Sequence, residues 1–443
     1  MSEEKTSSKA EELNKRGLIF VQTEQSEEAL KYFNRAIEAD RNFMDAYYNK
    51  AVVHLALDQV DDAIKAIDSI LIKNGNDGEA YFEKGNILFY YKNDIKTAVE
   101  LYNKAMYLGV KNERSYYSMA LCMEASSENE EAIKWLDRAI ILDNKNVQVI
   151  SKKAEILAYM LKYNEAINCY DSILKIQVDN EEAYHFKTVL LAQIGKTAEA
   201  FESIQAAESI LGKRGILEYD KCLLYEKEKK QDEALTSLNE AISLSGKNTM
   251  FLSKKASILI LMGKIDEAKK VYDESIEIEP DNMEVYFSKA NLLMLNKEYE
   301  EASKIYNIII EKSDNKDPYR INSYYYKALC FENMHQEEKA IDGYKEAIEN
   351  YNLLILNYPY DLQLHVLKAN SLRDTRKYEE AEELYEYVID LNKNMPEVYL
   401  MRAKNRIGLG KENEAKNDVN TAIKIAPEFE RIVRLDEDLN KFL

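Results

Sequence analysis

The sequence is poor in residues that break helices or cross-link chains. Its 443 residues include five prolines, 13 glycines, four cysteines and one tryptophan. So little proline and glycine excludes collagen-like and linker-like regions. Cys122, Cys169, Cys222 and Cys330 are far apart and show no C-x-x-C spacing, so neither a disulfide framework nor a zinc site is expected. No apolar run reaches membrane-spanning length, and the opening residues MSEEKTSSKA lack the apolar core of a signal peptide. A cytoplasmic protein is the expectation. Basic charge is also short: 60 Lys and Arg face 79 Asp and Glu, a net charge of -19. A nucleic-acid backbone requires a concentrated basic surface, so nucleic acid is an unlikely partner.

What the sequence has is a repeat. In Thr249 to Asn282 the apolar residues Leu252, Ala256, Leu259 and Ile260 recur at helical spacing, and Ile265, Ala268, Val271, Tyr272, Ser275 and Ile276 follow in a second run. These are two amphipathic helices joined at Gly263-Lys264, with Pro280 and Asp281-Asn282 ending the second. Close-packed antiparallel helices need small residues where they cross, here Ala256 at position 8 and Ala268 at position 20. Sliding this template along the chain finds alanine at position 20 twelve times, from Ala29 to Ala415. Position 8 is Gly or Ala in ten of the twelve, the others being Thr188 and Cys222. Tyrosine is common at position 4 (Tyr47, Tyr81, Tyr116, Tyr184, Tyr286, Tyr324, Tyr399), and aromatics at position 24 (Phe33, Tyr102, Tyr170, Tyr272, Tyr306, Tyr344, Tyr385).

The period and these residues resemble the tetratricopeptide repeat (TPR) family. The resemblance covers residues 10 to about 429. It implies an all-α α-solenoid of helix-turn-helix repeats forming a right-handed superhelix. The repeats run 10–43, 44–77, 78–112, 113–146, 147–180, 181–214, 215–248, 249–282, 283–320, 321–361, 362–395 and 396–429. Tyr or Leu replaces the family's tryptophan at position 4, the proline at position 32 survives only as Pro280 and Pro427, and repeat 7, with Glu218 at position 4, fits worst.

Residues 1–9 are expected to be a disordered leader, and 430–443 a capping helix that covers the last apolar face. Repeat 3 has one extra residue near Asn93 to Ile95. Repeat 9 has four around Lys316 to Tyr319, marking residues 313–320 as a candidate joint. Repeat 10 has seven, roughly two helical turns, so its second helix is expected to lengthen and carry Tyr351, Leu353, Leu354, Ile355, Leu356 and Tyr358. These either pack on repeat 11 or form a second docking surface.

Chemistry is hard to find. Ile194-Gly195-Lys196-Thr197 resembles the end of a phosphate-binding loop, but Leu190 stands where that motif needs glycine and the segment falls between two helices. His54, His185, His335 and His365 lie in four different repeats, without ligand spacing. No nucleophile, base and oxyanion donor come together. No catalytic residue, metal site or cofactor is assigned, and the chain is read as not an enzyme.

The family resemblance implies a concave groove lined by the first helices, mainly through positions 2, 5, 9 and 12, that receives a protein or peptide segment. In repeats 2 to 4 these positions supply Tyr48, Val52, Leu55, Phe82, Asn86, Phe89, Tyr117 and Leu121. A second patch, in repeats 8 to 10, holds Ile260, Phe287, Asn291, Met294, Tyr325 and Leu329. The aromatics are read either as binding hot spots or as packing between neighbouring repeats. Asn86, Asn291 and Asn370 are candidates for hydrogen bonds to a partner's backbone. The carboxylate clamp of the chaperone-tail-binding members is missing: Asn14, Leu18, Asn49, Glu79 and Glu83 occupy its positions, and only Asn49 matches. The expected function is a protein-interaction scaffold. The alternatives are a regulatory or substrate-recruiting subunit of an enzyme complex, and RNA or small-molecule binding inside the superhelix. The sequence does not indicate an oligomeric state.

Overall fold

The computed structural model describes residues 2 to 443, with side chains from residue 8 onward. Among the described residues there are 25 α-helices, one short 3-10 helix and no strand. The first 24 helices pair into twelve hairpins in register with the repeats, as in Met44–Ala56 with Val60–Lys73 and Thr249–Leu261 with Ile265–Ile278.

Each hairpin turns on one left-handed residue. Gly195, Gly263 and Gly410 serve in three repeats, but Asp58, Leu161, Arg376 and others with a Cβ serve in nine. Glycine is therefore not what defines the turn; close packing of the two helices imposes it. That packing shows in the repeat's small positions. Ala29, Ala63, Ala98, Ala268 and the other position-20 alanines are buried. At position 8, a Cβ on Gly85 would come within 2.7 Å of the Tyr102 ring, and one on Gly17 within 2.5 Å of Phe33. The small residue and the position-24 ring occupy one space between them.

Two features recur at the junctions between repeats, and sequence reading found neither. The first is a cap. Asp77, Asn112, Asn146, Asn180 and Asn248 accept a backbone N–H from the first turn of the following helix. These side chains satisfy helix-end donors that would otherwise be stranded. The second is a ladder of cations at position 7 reaching back to position 25 of the preceding repeat. Lys84 pairs with Asp68, Lys153 with Asp137 and Lys187 with Asp171, each at 2.6 Å. Lys50 donates to Asn34 and Lys327 to Asn307, both at 2.8 Å, and Lys289 pairs with Asp273.

The chain divides into two units, Met1–Leu224 and Tyr225–Leu443. The division falls inside the first helix of repeat 7, Gly215–Lys227, not at residues 313–320. There, Asp317 caps helix Pro318–Asn333, and Arg320 donates to the carbonyl of Ser313 at 3.0 Å and to that of Ile310. The four extra residues are thus bonded into the fold. In repeat 7, Glu218 is buried and pairs with Lys221 at 3.0 Å.

Two terminal segments differ from their simplest reading, and one inserted segment follows it. Helix Ser2–Gln22 includes residues 2–9, where a disordered leader was expected. Ser2 to Ala10 contains no helix breaker, so the backbone can run on from the first repeat; Met1 lies outside the described residues. The seven extra residues of repeat 10 do lengthen its second helix, to Glu337–Asn357. Tyr351 is buried there and donates to the carbonyl of Ile321 at 3.1 Å, whereas Leu353 and Leu356 are exposed. At the C-terminus, helix Phe429–Leu435 and the 3-10 turn Asn440–Phe442 replace the single helix expected. The break falls at Asp436, whose carboxylate accepts the N–H groups of Asp438 and Leu439 and pairs with Lys404 at 2.6 Å. Val433, Leu439 and Phe442 still seal the core of the last two repeats, while Ile432 and Leu435 are exposed.

Candidate functional site

A cavity of about 320 Å³ opens between repeats 2 and 3. Three of the predicted groove residues line it: Tyr48, Val52 and Leu55, all on helix Met44–Ala56. Ala51, Ile67 and Ile87 form the rest of the apolar floor, and Glu79 and Glu83 stand at the rim. Val52 is 59% exposed, so its isopropyl group is available to a ligand. Tyr48 is half-buried and donates its hydroxyl to Asp77 Oδ1 at 3.1 Å. Burial, and then the Asp77 carboxylate, push its pKa well above the usual range, so the ring is fixed as a neutral wall.

The repeat's own chemistry explains the cavity. Repeat 2 has Ile67 at position 24, where seven repeats have an aromatic ring. The floor is therefore lower here. Nor does anything cover it, because position 2 of the next repeat is Glu79. One step further on, position 2 is Arg114, whose guanidinium lies 4.4 Å from the centre of the Phe82 ring and pairs with Glu83. Phe82 is consequently 1% exposed and packs on Tyr102. It is a core residue, not a groove residue.

The asparagines also have a different role from the one expected. Tyr102 donates to Asn86 Oδ1 at 2.8 Å, Tyr306 to Asn291 Oδ1 at 2.6 Å and Tyr385 to Asn370 Oδ1 at 2.7 Å. The pairing is the same in all three repeats: position 9 satisfies the buried hydroxyl of position 24. A buried hydroxyl without a partner is costly, and the amide carbonyls meet this need, not a partner's backbone. In repeat 10 the acceptor for Tyr344 is Glu332, at position 12 instead.

The second patch is largely filled. Phe287 sits among Tyr306, Tyr319 and Tyr326, with ring centres 5.8, 5.5 and 5.7 Å away. Met294 Sδ lies 3.0 Å from Cys330 Sγ. Tyr325 is buried and donates to Asp374 Oδ2 at 3.1 Å. Here the packing reading of the aromatics holds. Phe89, Tyr117 and Leu121 are half-buried, Phe89 against Tyr90 and Tyr117 in the core of repeat 4.

Ionisable groups of the core have structural partners. His185 Nδ1 lies 2.8 and 3.0 Å from the oxygens of Asp220. Burial alone would lower its pKa, but the Asp220 contact outweighs this and holds the imidazole charged above its usual range. Burial pushes the thiols of Cys122 and Cys330 up to about 12, which leaves them inert. Among the described residues no group of His, Cys, Asp and Glu is placed to hold a metal ion, and no helix is long and apolar enough to cross a membrane.

Comparison with known proteins identifies the same repeat. Models described as tetratricopeptide repeat match residues 14–80, 259–320, 322–352, 362–395 and 396–429. The last two spans coincide with repeats 11 and 12. A TPR repeat-containing protein of Methanocaldococcus jannaschii is 33% identical over 129 residues, 29% of this chain and 22% of that protein. An NADPH oxidase activator of Dictyostelium discoideum is 25% identical over 115 residues, 26% and 18% of the two chains. The matched part thus spans about a fifth of the length of these relatives. Among solved structures, the C-terminal part of a TPR repeat-containing protein from Cytophaga hutchinsonii is similar with a TM-score of 0.46 at 16% identity, covering 54% of this chain and 98% of that one. YrrB, described as a TPR protein with an unusual peptide-binding site, is similar with a TM-score of 0.36 at 21% identity, covering 44% and 97%. With twelve hairpins in register and family models matching in both units, the chain belongs to the tetratricopeptide repeat family.

Proposed function

We propose that the chain is a protein-interaction scaffold, and that the cavity between repeats 2 and 3 takes an apolar side chain from a segment of its partner. The observation that carries this is the open, apolar volume of about 320 Å³ lined by Tyr48, Val52, Leu55 and Ile87. Such a volume suits a branched aliphatic or aromatic side chain. Burying one stabilises a complex by about 1.5–3 kcal/mol, and the hairpins on either side are already folded, so little ordering opposes it. Glu79 at the rim favours a basic residue beside the apolar one, whereas Glu83 is already paired with Arg114.

The test is affinity capture from the native cell extract, comparing the unaltered chain with Val52→Arg and with Leu55→Lys. The reading predicts a protein captured in fixed ratio, lost with both variants while helicity is unchanged. Capture that survives both substitutions would overturn it.

A further inference from the structure

A second pocket lies away from the groove, on the second helices of repeats 3 and 4, and its character is opposite to that of the first. Helix Ile95–Tyr107 contributes Met106 and Tyr107, helix Asn129–Leu142 contributes Trp135 and Arg138, Lys111 lies in the link after the first, and Tyr116 comes from helix Glu113–Ala125. Its volume is about 380 Å³. Trp135, the only tryptophan in the chain, packs on Tyr116 with ring centres 5.7 Å apart. The Arg138 guanidinium lies over the Trp135 ring at 4.1 Å. Tyr107, 82% exposed, forms an open wall and carries Lys104 at 5.5 Å from its ring centre.

Carboxylates outnumber cations, and many lysines and arginines of the described residues are in ion pairs. Lys104, Lys111 and Arg138 are not: none has a carboxylate within ion-pair distance among the described residues. Lys111 and Arg138 thus line the pocket unpaired, and Lys104 lies beside its Tyr107 wall. A guanidinium stacked on an indole is held flat, and its N–H edge stays free to bind a carboxylate with two parallel hydrogen bonds. The aromatic walls would hold an apolar neighbour of that carboxylate.

We infer that this pocket is a second binding site, which takes an acidic peptide segment: Asp or Glu carboxylates on Arg138 and Lys111, with an adjoining apolar side chain against Trp135 and Tyr107. The site is independent of the cavity between repeats 2 and 3. It prefers partners of the opposite charge to those favoured there. A chain with net charge -19 repels extended polyanions, so a short acidic stretch fits better than a nucleic acid.

Trp135 makes the inference directly measurable. The full chain is titrated, with tryptophan fluorescence as readout, with a short synthetic peptide in which Glu and Asp flank one Leu, and with its Gln/Asn counterpart. Parallel titrations use inorganic phosphate and a single-stranded RNA oligonucleotide. The expected result is a saturable change with the acidic peptide only, weakened as salt rises, and weakened at least about tenfold in Arg138→Gln. Val52→Arg, in the other site, should leave it unaltered. No saturable change with the acidic peptide, equal binding by the amide counterpart, tighter binding of phosphate or RNA, or undiminished binding by Arg138→Gln with unaltered circular dichroism would each overturn it.

Discussion

Two neighbouring steps of the same solenoid differ in a way that locates the candidate site. Between repeats 2 and 3, Ile67 sits under the groove and Glu79 leaves it uncovered, so a cavity remains around Tyr48 and Val52. Between repeats 3 and 4, Tyr102 fills the floor, Asn86 accepts its hydroxyl, and Arg114 covers Phe82. The backbone plan is the same in both. Three side chains, at positions 24, 9 and 2, decide whether a step is open or closed. A solenoid can therefore carry a binding site at one step and plain packing at the next without altering its helices.

Substitutions at these positions should separate the two steps. Gly85→Ala places a methyl within 2.7 Å of the Tyr102 ring, and overpacking of this kind should cost up to about 3 kcal/mol in urea denaturation. Asn86→Ala strands the Tyr102 hydroxyl and should cost about 1–2 kcal/mol by the same measurement. Removing the cover with Arg114→Ala should cost about 0.5–1 kcal/mol and expose Phe82 to a hydrophobic dye. Val52→Ala, at the position equivalent to Asn86, should change stability by less than about 0.5 kcal/mol, because Val52 is 59% exposed. Equal losses at Asn86 and Val52 would erase the contrast between the steps. Glu79→Arg sharpens it: a guanidinium laid over Tyr48 should close the open step and reduce partner capture with stability unchanged.

The architecture was legible because repetition is a strong signal. Alanine at position 20 recurs since two helices cross there and nothing larger fits, so the twelve hairpins could be read from that column. The site was legible only in part. Tyr48, Val52 and Leu55 were found from their positions, but Phe82 and Tyr325 occupy position 5 as well and are core residues. Phe82 is covered by Arg114 from the following repeat, and Tyr325 reaches Asp374 of the following repeat. A reading of one repeat at a time cannot see such contacts. The signal for Asn86, Asn291 and Asn370 was in the sequence: each stands in a repeat with tyrosine at position 24, and a buried hydroxyl needs an acceptor. The lysine ladder was legible too, as Lys sixteen residues after Asp in Asp68-Lys84, Asp137-Lys153 and Asp171-Lys187. It was missed because it links different repeats. The Trp135 pocket had no signal, since its residues come from three helices of two repeats and the link between those repeats.

The central claim is that the open step between repeats 2 and 3 holds the partner, and amide hydrogen exchange tests it most directly. The full chain is compared alone and with the captured partner, followed segment by segment. The account predicts slowed exchange concentrated in helices Met44–Ala56 and Gly78–Lys92, and lost with Val52→Arg. Protection confined to repeats 8 to 12, with those two helices unchanged, would contradict it.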